Sequence, residues 1–111
     1  MANYSDDLDE VLVALADPTR REVVRRLGSG PASVGELARP FSITLPSFMK
    51  HLRTLESSGL VHTAKSGRVR TCTLNHERLA LLDGWLDEQR ATWEARTDRL
   101  EALVTSQEET P

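Results

Sequence analysis

The residues best suited to chemistry in this chain lie in its middle. Thr44, Leu45, Ser47, Met49, Lys50 and Arg53 fall close together, and Lys65, Arg68 and Arg70 follow. Cations neutralise phosphates, while small hydroxyl and apolar side chains fit against base edges. Double-stranded DNA is the partner this mixture suits. Nothing comparable suggests catalysis. There is no glycine-rich phosphate loop, no serine, histidine and aspartate arrangement, and no carboxylate pair placed as a cleft would need. No catalytic residue is assigned, and the chain is not expected to be an enzyme. Cys72, His51, His62 and His76 are too few and too scattered for a metal site, which needs three or four ligands. No metal and no cofactor are expected.

Elements must hold these residues in place. Leu8, Val11, Leu12 and Leu15 have helical spacing, and Asp17-Pro18 stops that helix. Asp17 caps a second helix whose stripe is Val23, Val24 and Leu27, closed by Gly28-Ser29-Gly30-Pro31. Ser33 and Glu36 form a capping-box pattern for a short third helix. Thr44 caps a fourth, with Pro46 in its first turn, and Phe48, Leu52 and Leu55 form its buried stripe. That stripe turns Pro46, Lys50 and Arg53 outward, flanked by Leu45, Ser47, Met49 and Thr54. Residues 60–64 and 68–74 read as two strands joined at Ser66-Gly67. From His76 to about Ser106 a long helix follows.

The expected fold is mainly α with a two-stranded β-hairpin wing: a winged helix-turn-helix in the order α-α-α-α-β-β-α. Residues 1–106 are read as one domain with dimerisation helices at both ends, and 107–111 as a frayed tail. Within the fourth helix, the 44–58 segment reads the major groove, which admits a helix. Arg53 and the wing cations Lys65, Arg68 and Arg70 suit phosphates or the minor groove.

Charge supports this division. The formal net charge is -3, yet residues 18–78 carry +7, between ends of -5 each. A basic middle between acidic ends implies that the middle meets a polyanion. The ends offer apolar side chains instead. Leu79, Leu86, Trp93 and Leu100 are seven apart, with Leu82 and Leu103 at alternate positions. This partial heptad suits helix pairing. Leu8, Val11, Leu12, Leu15, Leu79, Leu82, Leu86, Trp93, Leu100 and Leu103 are therefore the expected homodimer interface, and Trp85 and Trp93 are read as anchors. No signal peptide and no membrane span are expected, and the lone Cys72 suits a reducing, cytoplasmic compartment.

Single residues admit competing readings. Cys72, near Arg68 and Arg70, could be a redox sensor, but a small buried apolar role is favoured. His51 is expected to be half-buried and structural, or a phosphate donor. His62 is expected to be structural, and Arg20 to be an internal ion-pair partner. An alternative function is a protein-interaction module built on the long helix.

The segments "LADPTRREVVRRL", "VGELARPFSITLPSFMKHLRTLESSGLV", "SGRVRTCTL" and "LDEQRATWEARTDRLEALV" occur in that order. Together they resemble the ArsR-type family of winged-helix repressors over roughly residues 8–104. The resemblance implies a dimer joined by its first and last helices, two recognition helices on a pseudo-palindromic operator, and repression relieved by a small-molecule inducer. The chain departs from metal-sensing members, because Glu36-Leu37-Ala38-Arg39-Pro40 lacks the usual metal-binding cysteines.

Overall fold

A computed structural model describes residues 4–109. Helices α1 (Tyr4–Leu15) and α2 (Pro18–Leu27) precede a short strand β1 (Ala32–Ser33). Helices α3 (Val34–Ala38) and α4 (Leu45–Ser57), strands β2 (Val61–Ser66) and β3 (Val69–Leu74), and helix α5 (His76–Glu109) follow. By internal packing the chain forms two compact units, one ending at Leu81 and one starting at Leu82. The second unit is the distal length of α5. Within it the helix runs unbroken past Ser106 to Glu109, beyond the expected start of the tail; Thr110 and Pro111 lie outside the described residues.

In the first unit, each of the capped helices begins where a side-chain oxygen meets a free backbone N–H. Asp17 Oδ2 accepts from the Arg20 N–H at 3.0 Å, and Ser33 Oγ accepts from the Glu36 N–H at 3.1 Å. Thr44 Oγ1 accepts from the Ser47 N–H at 3.3 Å. These bonds satisfy donors that the helix itself leaves free. The core gathers Val11, Val23, Leu27, Leu37, Phe48, Leu52, Leu55, Leu60, Val61 and Cys72.

Strand β1 is the element the sequence did not announce. It adds to the hairpin, giving the strand order β1-β3-β2, with Ala32 opposite Cys72 and Ser33 opposite Thr71. Two residues after a proline carry no strand signature, since the pairing is made by residues far along the chain. Through it the wing is tied to the start of α3. The hairpin turn also moves by one residue. Ser66 pairs with Val69, so the loop is Gly67-Arg68, with Gly67 at φ 63°. A two-residue loop with glycine first matches the twist of the flanking strands.

Arg78, at the start of α5, ties three elements together. Its Nε donates to the Ser58 carbonyl at 2.7 Å, just past the end of α4. Its other nitrogens pair with Asp7 and Glu10 of α1, each at 3.1 Å. Gly59 beneath it has φ 82°, and a Cβ there would meet Arg78 Nε at 2.8 Å. Glycine is needed both for the backbone and for the space.

Arg78→Met keeps the length of this side chain but removes its donors. It should lower unfolding stability by about 1–3 kcal/mol, because the Ser58 carbonyl is left without its partner. Urea unfolding checks this, and an unchanged midpoint would show that the clasp is not stabilising.

Candidate nucleic-acid interface

The rotation of α4 is set by Phe48, Leu52 and Leu55, which are 1%, 0% and 0% exposed. The ring of Phe48 stacks on Phe41 with centroids 5.9 Å apart, which holds the α3–α4 turn against α4. With that side fixed inward, Leu45, Pro46, Ser47, Lys50 and Arg53 are exposed, as is the cap Thr44. Met49 is different: it is half-buried and packs against the core, so it supports the helix more than it projects from it.

Lys65, Arg68 and Arg70 are exposed on the wing. Lys65 stands directly opposite Arg70 in the β2–β3 ladder. Like charges in directly opposed positions disfavour the pairing. Nor is this repulsion offset locally. Among the described residues, Lys50, Arg53, Lys65, Arg68 and Arg70 form no ion pair, whereas Arg25, Arg26, Arg78 and Arg90 each do. Helix and wing also share a groove: Leu45 and Met49 of α4 line it with Ser33, Val34, Gly35, Arg68, Val69 and Arg70. Of the expected contact residues, Leu45 and Met49 of α4 are thus brought together with Arg68 and Arg70 of the wing. Arg39, at the C-cap of α3, is a further exposed cation on the helix-turn-helix that sequence reasoning passed over; its position, next to a proline, gave no helix-face signal.

A polar cluster braces the recognition helix from behind. Arg20 Nε donates to the Ala14 carbonyl at 2.7 Å and its Nη2 to the Val13 carbonyl at 3.2 Å. Its Nη1 lies 3.1 Å from His51 Nδ1 on α4. Arg20 therefore caps the end of α1 more than it pairs with an acid. His51 Nδ1 also lies 3.6 Å from Asp17 Oδ2. His51 is half-buried in this cluster, which fits the structural reading. His62, expected to be structural, is exposed on β2 because its neighbour Val61 takes the inward position.

Cys72 is fully buried at the base of the wing. Burial pushes its thiol above the ordinary value, Glu56 adds to this, and Arg70 offsets it in part. A raised, inaccessible thiol is poorly suited to sensing. Among the described residues, no group of three His, Cys, Asp or Glu side chains is placed to hold a metal ion, and no helix is long and apolar enough to cross a membrane.

The expected dimer residues divide into two sets. Leu8 and Val11 are buried within the protomer, 7% and 0% exposed. This corrects their expected place at a dimer contact: one apolar face of α1 fills the core, leaving Leu12 and Val13 outward. Leu15 and Leu79 are half-buried against the core, and Leu82 is half-buried. Leu86, Trp93, Leu100 and Leu103 are exposed on distal α5, together with Trp85 and Val104. Val104 is a member the heptad pattern missed.

A helix–turn–helix followed by a basic hairpin defines the winged helix-turn-helix class of transcription regulators. The family described as "Helix-turn-helix domain" matches residues 15–64. The HTH-type transcriptional regulator Rv2034 of Mycobacterium tuberculosis is 42% identical over 71% of this chain and 74% of that protein. The arsenical resistance operon repressor of Staphylococcus xylosus is 32% identical over 73% of this chain and 78% of its own. Among solved structures, an ArsR family transcriptional regulator matches with a TM-score of 0.78 and 53% identity, over 85% of this chain and 97% of that one. The homodimeric winged helix-turn-helix DNA-binding domain of a Mycobacterium bovis protein matches with a TM-score of 0.62 and 27% identity, over 77% and 82%. The chain belongs to the ArsR family of helix-turn-helix transcriptional regulators and is not an enzyme.

The brace behind α4 makes a prediction about acid. Burial raises the Asp17 carboxyl, but the Arg20 and Thr19 N–H groups and the nearby His51 and Arg20 outweigh it, leaving it below its ordinary value. A carboxyl lowered on folding adds stability at pH above its unfolded value, about 3.9, and that contribution disappears as pH falls through the folded value. Asp17→Asn keeps a good cap without the ionisation. The urea midpoint of the parent should fall below about pH 4 more steeply than that of the variant. Parallel curves would contradict the account.

Proposed function

We propose that the chain is a homodimeric repressor that binds a pseudo-palindromic operator through the 44–58 helix and the 60–74 wing. The observation that carries this is the set of exposed cations on α4 and the wing that form no ion pair among the described residues, two of them directly opposed. A polyanion relieves both deficits. In this reading Ser47, Leu45 and Lys50 face base edges from the first turns of α4, with Thr44 holding that turn. Arg53, Lys65, Arg68 and Arg70 meet phosphates, and Arg39 is placed to join them. Helix and wing line one groove, so the partner's backbone can run between them.

The dimer rests on distal α5, whose Leu86, Trp93, Leu100 and Leu103 stripe is left exposed in a single copy, and on Leu12 of α1. Relatives named as repressors and a homodimeric structural neighbour agree with this reading. Residues 1–106 act as one regulator domain in the cytoplasm, and a small-molecule inducer relieves repression.

Arg68→Ala combined with Arg70→Ala tests the wing. Affinity should fall for all sequences alike. The slope of log affinity against log salt should flatten by about 0.9 for each phosphate that the wing no longer neutralises. An unchanged slope would remove the wing from the interface. Lys50→Ala should weaken binding without lowering the unfolding temperature, since its side chain is exposed.

A further inference from the structure

The leading surface of α4 has an unusual chemistry for a base reader. Purines are read chiefly by Arg or Lys on guanine and Asn or Gln on adenine, and on α4 the first of these is Lys50, past the helix's first turn. Residues 42–49 contain none of these. Thr44 spends its hydroxyl inward on its own helix, accepting from the Ser47 N–H and donating to Ser47 Oγ at 3.0 Å. Apolar side chains stand in the open instead: Ile43 is 43% exposed, Leu45 58%, and Val69 across the shared groove 53%. Such large side chains are out of place beside unpaired cations in a surface meant only for water. Their setting says what covers them. Arg68 and Arg70 of the wing line the same groove as Leu45 and Val69, so its occupant carries negative charge around an apolar contact point.

We infer that Leu45, aided by the exposed Ile43 two residues earlier in the chain, is a specificity-determining residue that recognises the C5-methyl group of thymine in the major groove. This rests on the placing of α4 in the groove proposed above, and it deepens that placing. The thymine methyl is the one apolar feature that unmodified DNA presents in the major groove. Covering it removes both methyl and leucine from water, worth roughly three- to five-fold in affinity for each methyl. The operator half-site should therefore contain a thymine wherever the first turn of α4 meets the bases.

The test uses the full-length protein and synthetic, unmethylated DNA. Sites are selected from a random pool, and each thymine of the selected half-site is then replaced by deoxyuridine, which lacks only the methyl. At one or more positions the parent should bind about three- to five-fold more weakly. In Leu45→Ala that penalty, taken as the ratio of the variant's own affinities for the thymine and deoxyuridine sites, should shrink to near unity, and Ile43→Ala should reduce it. A selected half-site without thymine overturns the inference, as does a parent indifferent to deoxyuridine at every position, or a Leu45→Ala variant that keeps the full penalty. A pool that yields no preferred sequence would overturn the groove placing of α4 as well, so the two failures are distinguishable.

Discussion

The burial of Phe48, Leu52 and Leu55 on one side of α4 governs the rest of the molecule. Three large side chains leaving water contribute roughly 1.5–3 kcal/mol each. No single polar contact on the outer side competes with that. Once this stripe is inward, the helix has one permitted rotation, and the identity of its outer face follows: Leu45, Pro46, Ser47, Lys50 and Arg53. The brace from Arg20 and Asp17 to His51 acts on the same helix from its flank and joins it to the α1–α2 junction. The stacked Phe41 does so from the turn. Function is thus a consequence of which residues the core rejects.

The wing shows the opposite balance. Its base is fixed by Val61 and Cys72 in the core and by the pairing of β1 with β3. Its tip has little apolar burial and holds Lys65 against Arg70. Such an arrangement is tolerable because exposed charges are well screened by water and salt. It becomes favourable when a polyanion arrives. Among the described residues, no ion pair joins an acid of the chain's ends to Lys65, Arg68 or Arg70: Asp7 and Glu10 pair with Arg78, Asp17 lies against His51, and Asp87 pairs with Arg90.

Much of this was legible in the sequence, for identifiable reasons. Caps at Asp17, Ser33 and Thr44 and the 48/52/55 spacing are local signals, and they located α2, α3 and α4 and the outward residues of the interface. Strand β1 was not legible, since Ala32 and Ser33 pair with Cys72 and Thr71, far along the chain. The apolar stripe of α1 was legible as a stripe, but not as to what covers it. Leu8 and Val11 serve the protomer's own core, and only packing distinguishes that from a dimer contact. Met49 lies at the boundary between the buried and outer faces, half-buried yet lining the groove shared with the wing, a position that periodicity alone does not settle. Ile43 and Arg39 were missed because they sit in turns, where periodicity says nothing.

The central claim is that two copies of α4 are presented to one face of the duplex. Half-site spacing tests it most directly. Two half-sites should bind the dimer tightly when their centres are one helical turn apart, about 10–10.5 base pairs. About half a turn of inserted DNA places the second half-site on the opposite face. Affinity measured at micromolar protein or below should then fall to that of a single half-site. Equal affinity at both spacings would contradict the account, because it would mean that each recognition helix binds DNA independently of its twin.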